Sequence, residues 1–484
     1  MPEYDEQALA TAALSQAQQR SLRFLDAGGG TRAVPFSFTP CPVSRADMAL
    51  MRSAAILLGQ LTQAIAADAD LIQEVHAPLA SGDPFFAELL RSHEHLTQRP
   101  GELLREPLLL QRSDFMIDAT RGPQLVECNS IAAGMAPFGE QTGLLQQQLH
   151  KAYPAVYQRH CAAGGPSHGT PAENRAAANM AAAIAAAATR IANALGDDGP
   201  LRFLMVVQEA EDNVFDQRLL EDELRALGLL TVRRTFRELH GQLGSGPNDS
   251  LELQGEGTVH VAYLRAGYQF HDYVALDLDT QRCCDALQDT RLFMERHRVA
   301  LNATVAQQLA TSKRMQLHLT RGGSALLQEL GFTAEQSTLL QSVMTEVREV
   351  DADTLPLLQS RGTADWVLKN QGEGGGHCLF DDDIITALER LNPSDYGAWV
   401  LMRRLRPAVR DTPALLVRET GASAVDDLIS ETGIFTAHLG ALPLPTLDEQ
   451  TGYIGYLVRS KPASVVEGGV HSGQGVLDSL LLID

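Results

Sequence analysis

Basic residues are scarce in this chain: 39 lysines and arginines face 60 aspartates and glutamates, a formal charge of −21. No local basic patch offsets that acidity, so phosphate backbones are repelled and nucleic acid is not an expected partner. Cysteine shows no pattern. Cys41, Cys128, Cys161, Cys283, Cys284 and Cys378 lie scattered, which reads as reduced thiols rather than a disulfide frame. Long apolar runs are missing too. The longest candidate, around 181–195, is mostly alanine and is broken by Thr189, Arg190 and Asn193, short of the roughly 18–20 apolar residues of a membrane helix. The opening MPEYDEQALATAAL has early acids and no basic segment before an apolar core, unlike a signal peptide. A soluble, cytoplasmic protein with no membrane partner is expected. Familiar catalytic signatures are absent as well: no HExxH and no GK[ST] ending. His93-Glu94-His95 sets two histidines on opposing sides of a helical segment, which disfavours zinc. Cys283 and Cys284 are adjacent and cannot form a CxxC pair.

What is present is an ordinary globular balance, 44% apolar and 20% charged over 484 residues, long enough for several domains. Residues 1–196 begin helical. Met48, Met51, Ala55, Leu58, Leu61 and Ile65 recur at three- and four-residue spacing and predict a helix over 46–75. Asp83 before Pro84 reads as an N-cap. The runs LLLQRSDFMID and PQLVECNS, joined through Thr120-Arg121-Gly122-Pro123, predict a hairpin. Helices are expected over 141–160 and 172–195. Residues 197–303 alternate strand and helix (LRFLMVVQ, a helix over 215–227, LLTVRRTF, TVHVAYLR), the pattern of a parallel-sheet α/β domain. Residues 304–484 resume with helices and turn strand-rich from Trp366: WVLKN, AWVLMRRL, ALLVRE, GIFTAHL and YIGYLVRS. The fold class is α/β.

Four segments carry chemistry. In WVLKNQGEGGGH a buried strand delivers Lys369 to a loop with Gly372, Gly374, Gly375 and Gly376. Glycines let backbone N–H groups approach an anion, and the lysine adds a point charge for phosphate. Glu373 inside that loop makes sense if Mg²⁺ bridges carboxylate and phosphates; a solvent loop or tight hairpin is the competing reading. Glu127 and Asn129 end a strand two residues apart, so their oxygens project to one side and, with Glu373, suit Mg²⁺. A water-capped strand end would look the same. QEAEDNVFDQ, over 208–217, sits where a strand meets a helix, the edge where α/β sheets bind ligands, and Arg265 and Tyr268 end the next strand at that edge. Plain helix capping by Asp212 or Asn213 is the alternative. Arg459 and Lys461 alternate along a strand before the tail EGGVH, as a clamp for carboxylate and phosphate or as a charged edge strand.

Taken in order from about 108 to 470, LLLQRSDFM, LVECNSI, QEAEDNVFDQR, VRRTF, YLRAGY, QQLATSKRMQ, VLKNQGEGGGH, SETGIF and YLVRSKP followed by EGGV resemble the eukaryotic-type glutathione synthetase family of ATP-grasp ligases. The resemblance implies an α+β ATP-grasp body made from both ends of the chain, an inserted substrate domain over 197–303, and a glycine-rich lid at about 366–385. It implies a homodimer. The implied activity is ATP-dependent peptide-bond formation: γ-glutamylcysteine is phosphorylated on its carboxylate and glycine attacks the acyl phosphate. Catalytic roles fall to Lys313, Lys369 and Arg459. ATP contacts fall to Glu127, Lys313, Lys369, Gly374, Gly375, Gly376, Met402, Glu431, Lys461 and Glu467, and two Mg²⁺ ions to Glu127, Asn129 and Glu373. Substrate contacts fall to Arg112, Ala132, Gly134, Glu211, Asn213, Gln217, Arg265, Tyr268, Arg459, Val470 and His471. The departures lie mostly at the substrate ends. Ala132 and Gly134 stand where the family has two serines, and His471 where its acceptor loop has alanine. Arg403 replaces a glutamate at the adenine hinge, and His377 and Cys378 replace two asparagines. A different γ-glutamyl-type donor or non-glycine acceptor is therefore the alternative, followed by a catalytically silent nucleotide-binding homologue.

Overall fold

Strand Glu106–Asp118 is the axis of the molecule. In this computed structural model, which describes residues 6–26, 28–98, 103–161, 169–280, 284–372, 378–466 and 468–484, it is buried without interruption from Leu108 to Phe115. Burial on both faces is why it reads as an apolar run rather than an alternation. It turns back into Gly122–Asn129 as the hairpin expected from Thr120-Arg121-Gly122-Pro123. Asp118 staples that turn by accepting from the amides of Thr120 and Arg121 at 3.0 and 3.2 Å. On its other side lies Leu428–Leu439, antiparallel. Successive residues there face opposite layers: Phe435 packs with the alanine-rich helix Ala176–Leu195 and with Ala136–Ala152, and Ile434 packs with Arg45–Ala66. Each large side chain so buried contributes about 1.5–3 kcal/mol.

The sheet runs to 13 strands. Beyond Leu428–Leu439 come Tyr453–Pro462, Val476–Asp478, Phe36–Ser37, Ala414–Arg418 and Gly421–Val425; beyond Glu106–Asp118 come Ala300–Asn302, Val261–Leu264, Arg202–Val206 and Leu230–Arg234. Those last four strands are parallel, as expected for 197–303. They continue the main sheet, because Ala300 and Leu301 pair with Glu106 and Pro107. A separate four-stranded sheet, Val347–Glu349, Trp399–Arg403, Trp366–Asn370 and Cys378–Leu379, carries Lys369.

Several local expectations need correction. The helix over 46–75 is two, Arg45–Ala66 and Ala69–His76, because the Asp68 carboxylate caps a new start through the Leu71 amide. The helix over 141–160 starts earlier and splits into Ala136–Ala152 and Pro154–Cys161, since Pro154 lacks the N–H that would continue the first. The alanine-rich helix begins at Ala176 rather than 172. Among the described residues the helix with the length and apolarity of a membrane span is Arg45–Ala66, but its Met51, Ala55, Leu58, Leu61 and Ile65 stripe fills the core. Nor are the first hundred residues purely helical. Phe36–Ser37 joins the main sheet and Cys41–Ser44 pairs with Leu480–Ile483, so the two ends of the chain are stitched together. Asp478 fastens the join, accepting from Arg410, Ser460 and Gln146.

Candidate active site

Strand register brings the first group of residues together. Arg112 lies opposite Asn129, Asp114 opposite Glu127, and Glu431 opposite Arg459. Asp114, 0% exposed, is the hub. It accepts from Arg112 Nε and Nη2 at 2.7 and 2.9 Å, from Asn129 Nδ2 at 3.1 Å and from Arg459 Nη2 at 3.1 Å. Arg459 also pairs with Glu431. Gly433 is required here: a Cβ would meet Asp114 Oδ1 at 2.6 Å and Arg112 Cδ at 2.7 Å. Burial works against the charge of Arg459, but the carboxylates of Glu431 and Asp114 more than offset it and raise the guanidinium above its ordinary value. Glu431 is pushed up, by burial first and then by Asp114 and Glu127 against the pull of Arg459.

Glu127 faces the lysines. Its carboxylate is 3.9 Å from Lys313 Nζ. Burial alone would raise it, yet Lys313 and Lys369, with Arg112 and Arg459 behind them, hold it well below the usual carboxylate range. Helix Lys313–Glu329 presents Lys313 at its first position, capped by Ser312 through the Met315 amide at 3.1 Å. His76, fully buried, fixes that cap. Its Nδ1 donates to the Ile72 carbonyl at 2.8 Å, which leaves Nε2 to accept from the Ser312 hydroxyl at 2.7 Å. Lys313 Nζ also donates to the Gly372 carbonyl at 2.9 Å, and Gln371 accepts from the Arg314 amide, so the stem of the glycine loop is tied to the helix start. Glu373, Gly374, Gly375, Gly376, His377 and Glu467 lie outside the described residues. Four cations (Arg112, Arg459, Lys313, Lys369) thus meet three carboxylates (Asp114, Glu127, Glu431), an excess of positive charge that suits a phosphate.

The second group differs in kind. Glu211 Oε2, Asn213 Oδ1, both amide atoms of Gln217 and Arg265 Nε are buried with no hydrogen-bond partner among the described residues. Arg265 lies against Gly134, where a Cβ would meet its Nη1 at 2.2 Å. The bare Gly134 is therefore what admits the guanidinium, which donates to the Ala132 carbonyl at 3.2 Å. Gln217, Gly134, Arg265 and Asp216 line one cavity. Tyr268 accepts from Gln208 at 3.0 Å, and Asp272 holds the loop through the amides of Gly267 and Tyr268.

The other expected residues make contacts of their own. Met402 packs with Leu317, Val347 and Val400. Arg403 lies 3.7 Å from Glu346 and 3.6 Å from Asp365, its own acidic partners. Lys461 donates to the Val466 carbonyl at 2.5 Å. Val470 is buried, and His471 meets Asp212. Asp114 and Asp216 were not expected. Asp216 accepts from the amides of Met135 and Phe138 at 2.9 and 3.1 Å and so anchors the start of helix Ala136–Ala152. The signal for Asp114 was legible: Arg112 and Asp114 are two apart inside an apolar strand, and so must pair within it.

Glu127 and Asn129 fit a hard cation. The Asn129 NH₂ is engaged by Asp114, which turns its carbonyl oxygen away from that bond, and the Glu127 side chain keeps 28% of its surface open.

The model of the family described as "Eukaryotic glutathione synthase, ATP binding domain" matches residues 6–482. The chloroplastic glutathione synthetase of Arabidopsis thaliana is 28% identical over 464 residues, covering 94% of this chain and 80% of that protein. The glutathione synthetase of Homo sapiens is 26% identical over 459 residues, covering 92% and 89%. Among solved structures, a glutathione synthetase-like effector from Globodera pallida in apo form superposes with a TM-score of 0.72 at 17% identity, covering 99% of this chain and 98% of the other.

Proposed function

We propose, from the premise that this chain belongs to the eukaryotic glutathione synthase family, that it is an ATP-dependent carboxylate–amine ligase making glutathione from γ-glutamylcysteine and glycine. Lys313 and Lys369 converging on Glu127 is the observation that carries the reading. Two lysines and a depressed carboxylate at the mouth of a glycine loop form a site for a triphosphate, not for a neutral ligand. A carboxylate is a poor electrophile, so its oxygen must become a leaving group, and the protein's share is positioning and charge neutralisation. Lys313 and Lys369 neutralise the transferring phosphoryl group. Arg459, held between Glu431 and Asp114, meets the reacting carboxylate. Glu127 and Asn129, with Glu373, would hold Mg²⁺, which supplies neutralisation of the phosphate oxygens. Glu211, Asn213, Gln217, Arg265 and Tyr268 take the zwitterionic γ-glutamyl head. Val470 and His471 meet the acceptor.

His471 favours a second reading, a non-glycine amino acid or amine as acceptor, because a polar ring occupies the acceptor loop. A competition assay decides between them. With ATP, Mg²⁺, γ-glutamylcysteine and a mixture of amino acids and amines, ADP release with a glycine-containing product supports the first reading. A product carrying another amine supports the second. No ADP release with any pair overturns both.

A further inference from the structure

Asp212 and His471 belong to the segments assigned to the two substrates, and the fold joins them. His471 Nδ1 lies 3.0 Å from Asp212 Oδ2. A carboxylate only accepts, so Nδ1 carries the proton, and in the neutral ring Nε2 keeps its lone pair. The imidazole stacks on Phe24 with centroids 4.3 Å apart, and the backbone carbonyl of His471 accepts from Arg32 Nη2 at 3.0 Å. Arg32 lies over the Phe24 ring and 3.6 Å from Asp212, whose carbonyl accepts from the Leu25 amide. Among the described residues, Asp212 and Arg32 are the charged groups placed against His471, and none bonds its Nε2. The side chain stays 44% exposed. Asp212 is flanked by Glu211 and Asn213, whose orphaned oxygens belong to the unpaired group. Val470 is buried in the same apolar core as Met135 and Tyr263, two residues that line the Arg265 cavity.

Resting on the ligase reading above, we propose that His471 is the general base for the acceptor amine, with Asp212 as its positioning residue. An amine arriving as an ammonium has no lone pair with which to attack. His471 Nε2 takes one proton, and the freed pair attacks the acyl phosphate carbonyl. The C–N bond forms, the C–O bond to phosphate breaks, and phosphate leaves with that electron pair. The second proton lost by nitrogen goes to the departing phosphate, and the imidazolium returns its proton to water. Asp212 keeps the ring in the tautomer with Nε2 bare, the role a carboxylate plays behind a catalytic histidine.

The test compares two nucleophiles on the full chain with Mg-ATP and γ-glutamylcysteine: glycine, which arrives protonated, and hydroxylamine, which is already unprotonated at neutral pH. His471→Ala and His471→Gln should each lower amide formation about 100-fold or more, while hydroxamate formation changes by less than about threefold. The acid limb in kcat/KM for glycine should vanish with them. Asp212→Asn should lower amide formation in the same direction and leave the hydroxamate. Equal losses with both nucleophiles, or unaltered glycine coupling, overturn the base. A wild-type protein that yields no hydroxamate at all overturns the ligase reading, and the base with it.

Discussion

The two halves of the site treat buried polar groups in opposite ways. Around Asp114 the carboxylate is met from three sides, by Arg112, Asn129 and Arg459. Around Gln217, buried oxygens and nitrogens on four side chains have no hydrogen-bond partner among the described residues. An unsatisfied buried group costs about 1–3 kcal/mol, so the second arrangement persists only where something else is gained. The first half is a finished frame that holds charges in place before any ligand arrives. The second is an unfinished hydrogen-bond set, and on the proposed function a zwitterionic head would supply the missing partners.

Breaking the frame should have the largest effect. Asp114→Ala leaves buried Arg112 without its carboxylate and half-buried Arg459 with Glu431 alone, and should cost about 3 kcal/mol of stability, read as a lowered urea midpoint; a midpoint unchanged from wild type would show that the frame is not the anchor described. Next comes charge at the phosphate end. Glu127→Ala should leave the fold intact by circular dichroism and lower kcat by more than tenfold, about 1.4 kcal/mol or more at the transition state. A variant above a tenth of wild-type kcat contradicts its role.

The unfinished half predicts the reverse sign. Gln217→Leu removes two orphaned atoms and should stabilise the protein by about 1 kcal/mol, seen as a higher urea midpoint without ligand. Destabilisation would mean that the amide is already paired.

The remaining effect appears in acid. Burial lowers His76 from 6.5 to about 4. Between those values the unfolded chain binds the proton and the folded chain does not, so stability is full above pH 6.5 and falls as pH drops toward 4. His93, His150 and His438, lowered to about 4 by burial, slope the same way. His76→Gln should therefore shrink, not abolish, the gap between urea midpoints at pH 7 and about pH 5. An unchanged gap would remove His76 from the acid response.

Much of this organisation was legible in the sequence. Both strands of the central hairpin and three of the four parallel strands of 197–303 announced themselves as short apolar runs between turn residues; Ala300–Asn302 did not. Short strands did not. Phe36–Ser37 and Cys41–Ser44 are two and four residues long, and the strands they pair with lie near the opposite end of the chain, so no local pattern could reveal them. Helix breaks were missed for a related reason, since periodicity carries on through Ala67-Asp68 while the Asp68 side chain stops it. In the site, chemistry-bearing residue types stood out, but their supports did not. Asp216 is one acid among many until the fold sets it under the amides of Met135 and Phe138. The glycine at 134 read as a lost hydroxyl; only the position of Arg265 shows what the missing side chain makes room for.

Steady-state kinetics with ATP and γ-glutamylcysteine varied in turn measures the two halves separately. Gln217→Leu should raise the KM for γ-glutamylcysteine about tenfold, the equivalent of one lost hydrogen bond to a charged group, and leave the KM for ATP unchanged. Lys369→Ala should do the opposite. Two KM values that rise together in both variants would contradict the division of this site into a finished phosphate frame and an unfinished donor pocket.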